Sequence, residues 1–315
     1  MKSELHPEAK QLREQISELQ IPPAHAQSPE GARRASNQLF IDWESGVPSR
    51  EVADEKELLI DGPNGSIPIR AYLPDTDAPV PTLVHIHGGG WVRGGVDTYD
   101  EFCKHLTDEL DCLTFSVDYR RAPEHPFPAA VEDSYAATEW VAENADILGG
   151  DNGRLAVIGD SAGGNLAASV TLRARNQGGF DIDHQTLIYP ATNYAFDTKS
   201  YRENADVPEL PLASMKWYWD HYLERELDGQ HPYASPLQAR SLADLPPATI
   251  ITAGHDPLRD EGRMYAERLD KADVPTSYTN CGDLMHLFNL FPELTPTQEV
   301  RESIIENLER AFKSA

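Results

Sequence analysis

The sequence predicts an α/β fold with a mostly parallel sheet, on three observations. Short apolar runs of strand type recur along the 315-residue chain, segments with helical spacing separate them, and a glycine-flanked serine stands at one strand-to-helix junction. Alternating β and α elements place successive strands side by side, because each helix carries the chain back across the sheet. Near-continuous apolar runs suit strands that are covered on both faces.

Taken in order, "ELLI" and "IPIRAYL" read as a leading antiparallel pair around the turn "DGPNGS". The strand-type runs "PTLVHIH", "CLTFSVDY", "RLAVIG", "QTLIYP", "PATIITAGH" and "PTSYTNC" follow. Between them, "YDEFCKHLTDEL" puts Phe102, Leu106 and Leu110 on one stripe, and "AAVEDSYAATEWVAEN" does the same with Val131, Tyr135 and Val141. The last helix carries Val300, Ile304, Leu308 and Phe312 as its buried stripe. Thr295 is expected to cap it, with Pro296 in the first turn and Gln298 completing a capping box. Two regions break the alternation. Residues 1–50 hold a polar helix with Leu12, Ile16 and Leu19 on one side, and residues 193–236 are rich in aromatics, among them Tyr194, Phe196, Trp217, Tyr218, Trp219 and Tyr222.

Composition excludes several classes of function. A net charge of −25 argues against nucleic acid as a partner, since phosphates would be repelled. No apolar stretch approaches the roughly 20 residues of a membrane helix, and "MKSELHPEAKQLREQ" lacks a signal-peptide core. A soluble, cytoplasmic protein without membrane partners is expected. Cys103, Cys112 and Cys281 form neither a metal-ligand pattern nor a disulfide framework and are expected as buried free thiols. Lysine is scarce beside arginine, and an acidic, lysine-poor surface suggests work in concentrated salt, where the Debye length falls to about 3 Å.

The chemistry centres on "VIGDSAGGNLAAS". A serine hydroxyl is a poor nucleophile until a base takes its proton, an acid orients the base and donors meet the developing oxyanion. A tight strand-to-helix turn projects Ser161 above the sheet edge, and the small residues Gly159, Ala162, Gly163 and Gly164 permit that turn. In "HIHGGGW", consecutive glycines free backbone N–H groups to converge, so Gly88 and Gly89, with Ala162, are expected as oxyanion donors. His87 is expected to brace that loop. Chain order in such folds runs serine, acid, histidine. Of the histidines after Ser161, only His286 lies beyond the final strand-like run. Asp256 stands just past "PATIITAGH" and is the expected acid, ahead of Asp260 and Asp283. Asp160 is expected to brace the turn through neighbouring backbone.

With "HGGGW", "DYRRAPEHPFPAA", "GDSAGGN", "ASPL", "LPPATIITAGHDPLRDEG" and His286 in the right order across residues 50–315, the chain resembles the hormone-sensitive-lipase-like (family IV) carboxylesterases of the α/β-hydrolase superfamily. That resemblance implies an eight-stranded sheet flanked by helices and a helical cap. Residues 1–50 and 193–236 would form the cap, and 51–192 and 237–315 the two parts of the catalytic domain. It implies Ser161, Asp256 and His286 as a triad, Gly88, Gly89 and Ala162 as oxyanion donors, and hydrolysis of short- to medium-chain acyl esters without metal or cofactor. Trp91 and Leu287 are expected to shape the substrate pocket. The chain departs from the family at Leu287, where glycine usually follows the histidine, and at Arg121, where leucine is usual. An arylformamidase-type amidase would use the same machinery, and comparing an aryl ester with its anilide or formamide separates the two. Retention of all three triad positions weighs against a non-catalytic, ligand-binding member. Dimers are common in the family, but no segment here establishes a homodimer. The salt expectation has its own check: folding and activity should weaken without added salt, and full retention in its absence, with no response to molar salt, would refute it.

Overall fold

The leading antiparallel pair and the parallel runs join in one sheet. In the computed structural model the strands are β1 (Asp54–Gly62), β2 (Gly65–Leu73), β3 (Val80–Ile86), β4 (Leu113–Val117), β5 (Gly150–Asp160), β6 (His184–Ile188), β7 (Ala248–His255) and β8 (Thr276–Met285). Their order is β1-β2-β4-β3-β5-β6-β7-β8. β1 pairs antiparallel with β2, and β2 antiparallel with β4; every later pairing is parallel. The structure describes residues 3–44, 50–76 and 79–314, so 45–49 of the expected 1–50 segment, like residues 1–2, lie outside the described residues.

The helices are α1 (Pro7–Glu18), α2 (Pro29–Glu44), α3 (Asp100–Leu110), α4 (Ala129–Asn144), α5 (Ala162–Gln177), α6 (Lys199–Glu203), α7 (Leu212–Tyr222), α8 (Arg259–Asp270) and α9 (Thr295–Ser314). Strand alternation divides the core into two layers. Val84, Val157 and Ile250 face one layer with Val131 of α4, Leu166 of α5 and Leu269 of α8. Leu83, Ile158 and Ile251 face the other with Phe102 and Leu106 of α3 and Ile304 and Leu308 of α9. Both faces are therefore covered, which is why the strands read as unbroken apolar runs.

The two segments outside the alternation meet each other. Arg13 of α1 binds both carboxylate oxygens of Glu209, at 2.5 and 3.0 Å, and His25 Nδ1 lies 2.9 Å from Ser214 Oγ of α7. The aromatics of α7 belong to the core: Trp219 and Tyr222 are fully buried, and Trp91 stacks on Tyr222 at 4.2 Å with 4° between the rings. Two smaller expectations, the capping of the last helix and the burial of all three cysteines, need correction. Thr295 lies inside the first turn of α9, and its N–H and hydroxyl both donate to the Glu8 carboxylate of α1, while Gln298 reaches Pro292 O. A long-range acid thus serves the helix N-terminus in place of the local capping box. Leu19 ends α1 exposed, unlike Leu12. Cys103 and Cys112 are buried, as expected, but Cys281 is only partly buried. Among the described residues, no helix is long and apolar enough to cross a membrane.

Candidate active site

The C-terminal ends of the parallel strands converge on Ser161. This residue follows β5 directly, at φ 53° and ψ −117°, and α5 starts at the next position. Left-handed backbone of this kind costs a non-glycine residue about 1–3 kcal/mol and persists only where neighbours enforce it. Here they do. Ser161 N–H donates to Ile188 O of β6 at 2.8 Å, and Ser161 O accepts from Asn165 N–H and Ala191 N–H at 3.0 and 3.1 Å. Small residues are required on either side: a Cβ on Gly163 would stand 2.0 Å from Ile86 O, and one on Gly159 would stand 2.4 Å from the Gly163 backbone.

His286, one residue past β8, bridges two partners. Its Nδ1 bonds Asp256 Oδ2 at 2.7 Å, and the Ser161 hydroxyl donates to its Nε2 at 3.1 Å. All three side chains are buried. Asp256 Oδ1 accepts from Leu258 N–H at 2.8 Å, which occupies the carboxylate oxygen that His286 does not use. Asp260 takes a separate task, accepting from Ser200 N–H of α6 and from Arg259. The backbone oxygen of Asp283 accepts from His6 N–H at 2.8 Å, away from His286. Sequence reasoning missed two clamps on the Asp256 loop, both from the aromatic-rich segment: the Ser200 hydroxyl donates to Pro257 O, and Asn204 donates to Asp256 O at 3.0 Å. Neither has a local sequence signal, since each partner lies more than fifty residues away.

The glycine loop corrects one expectation. Gly88 N–H donates to Asp160 Oδ1 at 2.9 Å and lies within reach of the Tyr99 hydroxyl, which itself donates to Asp160 Oδ2. Gly88 is therefore not an available oxyanion donor. The reason is register: β3 and β5 pair in parallel with Ile86 opposite Gly159, so Asp160 at the end of β5 meets the chain just beyond β3. Among the described residues, none accepts from the N–H groups of Gly89, Gly90 or Ala162, and all three residues line the pocket at Ser161. Asp160 thus braces the glycine loop: the partners of its side chain, Gly88 and Tyr99, lie outside the turn that it is expected to brace. His87 bonds Gly88 O through Nδ1, stacks on Tyr119 at 4.1 Å, and is pushed down to about 3 by burial, so it stays a neutral brace.

The pocket has an empty volume of about 340 Å³ and is bounded by Trp91, Arg93, Leu210, Met215, Tyr218 and Leu287 beside the residues already named. Trp91 contributes to the wall with its ring drawn into the aromatic stack. Leu287 has φ 71°, a left-handed value that glycine adopts freely and leucine at some cost. Arg121 holds the loop after the glycines through Gly94 O and an ion pair to Asp118. From α2, Arg33 donates to Val92 O, Ala122 O and Glu124, tying the N-terminal segment to the same loop. Among the described residues, no group of His, Cys, Asp or Glu side chains is arranged to hold a metal ion.

A parallel sheet with a serine at a left-handed turn, a histidine on it and an acid on the histidine defines a hydrolase of the α/β type. Residues 83–290 match a family model described as alpha/beta hydrolase fold, and the chain belongs to that family, the hormone-sensitive-lipase-like branch. It is 46% identical over 239 residues to esterase LipI of Mycobacterium tuberculosis, covering 73% of each chain, and 35% identical over 261 residues to an arylesterase of Saccharolobus solfataricus, covering 81% of this chain and 83% of that one. Among solved structures it resembles an ester-hydrolase from the metagenome of Lake Arreo, with a TM-score of 0.93, 36% identity and coverage of 98% and 99%. A hyperthermophilic esterase of Pyrobaculum calidifontis gives a TM-score of 0.92 at 37% identity, again covering 98% and 99%.

The Asp160 brace predicts a pH effect on stability. Burial pushes its carboxyl up to about 6, although the bonds from Tyr99 and Gly88 pull the other way. Between about pH 4 and 6 the folded chain holds a proton that the unfolded chain has released. This contribution is complete at the acid side and is lost as pH rises through that window, by roughly 3 kcal/mol. Urea unfolding of Asp160→Asn at pH 4 and pH 7 should show a smaller fall than the parent. An identical fall in both would refute the assignment.

Proposed function

We propose that the chain is a serine carboxylesterase acting on short- to medium-chain acyl esters. The observation that carries this reading is His286, bonded to Asp256 at 2.7 Å on one side and to Ser161 at 3.1 Å on the other. Ser161 Oγ attacks the ester carbonyl while His286 Nε2 takes its proton, and Asp256 orients and stabilises the imidazolium. The N–H groups of Gly89, Gly90 and Ala162 receive the oxyanion. His286 then protonates the departing alcohol, and water releases the acyl group by the same route. The esterase names of the relatives support the reaction class.

In this reading residues 1–50 and 193–236 form one cap over a catalytic domain of 51–192 and 237–315. The Arg13–Glu209 and His25–Ser214 contacts support that division. The small pocket and the intrusion of Leu287 support a preference for short acyl groups. The acidic, lysine-poor composition supports a surface suited to concentrated salt.

Initial rates on p-nitrophenyl esters from acetate to palmitate test the proposal. Activity should peak at short chains, and Ser161→Ala should lower kcat by at least about four orders of magnitude. Turnover unchanged in that variant would overturn the assignment. Leu287→Gly should move the optimum towards longer acyl chains by opening the wall; an unmoved optimum would remove Leu287 from the specificity determinants.

A further inference from the structure

Most arginines near the pocket already have an acidic partner. Arg13 binds Glu209, Arg33 binds Glu124, Arg120 binds Asp133 and Arg121 binds Asp118. Arg93 does not. Among the described residues no carboxylate lies within ion-pair distance of it, and its Nε is buried with no hydrogen-bond partner. The guanidinium stands over the Tyr218 ring, 5.5 Å from the centroid. Arg173, Arg175 and Arg268 are also half-buried without a carboxylate, but their donors reach Gln177 or backbone carbonyls, whereas Arg93 Nε reaches no acceptor.

Its position is equally specific. Arg93 N–H donates to Gly89 O at 3.0 Å, so the side chain starts from the loop that presents the free N–H groups. Arg93, Tyr218 and Leu287 line the pocket at Ser161 and also a second, outer groove of about 690 Å³. That groove runs between the N-terminal helices and α7, with mostly apolar walls such as Ile21, Leu39 and Pro211. Glu209 is the acid on its wall, and both of its oxygens are held by Arg13. The neck between the two spaces therefore carries one cation that has no carboxylate partner among the described residues and whose Nε has no acceptor.

We infer that Arg93 selects esters bearing a free carboxylate, which it binds at the neck while the ester carbonyl lies at Ser161. The inference rests on the esterase reading above. A guanidinium offers paired, planar donors that match a carboxylate, and the partly desolvated neck strengthens such a pair. Long-range repulsion from a chain of net charge −25 works against any anion, so a preference for one would have to arise locally. The carboxylate can lie on the acyl side, as in a monoester of a dicarboxylic acid, or on the alcohol side, as in the ester of a hydroxy acid.

Two matched pairs separate these sources when kcat and KM are measured on the full chain. Monomethyl glutarate is compared with methyl pentanoate, and γ-acetoxybutyrate with butyl acetate. In at least one pair the wild type should prefer the anion, mainly through KM. Arg93→Met should lower the anion-to-neutral ratio of kcat/KM at least tenfold, and Arg93→Lys should retain part of it. The pair that responds identifies the side of the ester that carries the charge. A wild type that prefers the neutral ester in both pairs overturns the inference without reference to any variant, as does a ratio that Arg93→Met leaves within twofold. Failure of the esterase reading looks different: no ester of the four is hydrolysed faster by the wild type than by Ser161→Ala.

Discussion

The left-handed turn at Ser161 is the constraint that the surrounding structure is built to satisfy. Its φ of 53° is unfavourable in isolation, and three backbone bonds to Ile188, Asn165 and Ala191 hold it. Those partners stand where they do because β5 and β6 pair in parallel, with Asp160 opposite Ile188. The close approach of Gly163 to Ile86 then joins β3 to the same turn. Local strain at one residue is met by register across three strands, which is how a packed sheet holds a conformation that a loop would lose.

Buried acids transmit that order outward. Asp160 ties the glycine loop to the turn through Gly88 and Tyr99. Glu261 of α8, pushed well above the usual carboxyl range by burial, accepts from Thr192 N–H and Asn193 N–H where the chain leaves the sheet for the aromatic-rich segment. That segment returns to clamp the Asp256 loop through Ser200 and Asn204. Each of these groups is expensive to bury unless its lone pairs meet donors, so every acid also dictates where nearby N–H groups must point.

The same logic separates the interior from the surface. Outside, an excess of acids leaves arginines mostly paired, and such exposed pairs contribute little individually. At the pocket neck the balance reverses: Arg93 lines the pocket and meets no carboxylate among the described residues. A local cation inside a strongly negative molecule acts only over short range, since solution ions screen the remainder within roughly 8 Å at physiological salt. Discrimination there depends on contact, not on the net field.

Much of this protein was legible in its sequence. Strand runs, helical stripes and the order of serine, acid and histidine follow from periodicity and chain direction, which are one-dimensional properties. Ser161, Asp256 and His286 are brought together as their order along the chain implies. What sequence reading misplaced was decided by partners distant in the chain. Gly88 N–H is consumed by an acid 72 positions away. Thr295 is bound by Glu8 across 287 positions. That Arg93 meets no carboxylate among the described residues is likewise invisible without knowing which carboxylates its neighbours have taken. A sequence determines which groups a chain possesses and their local geometry, but the partner of each donor is a competition among all groups brought near by folding, and only the tertiary structure decides it.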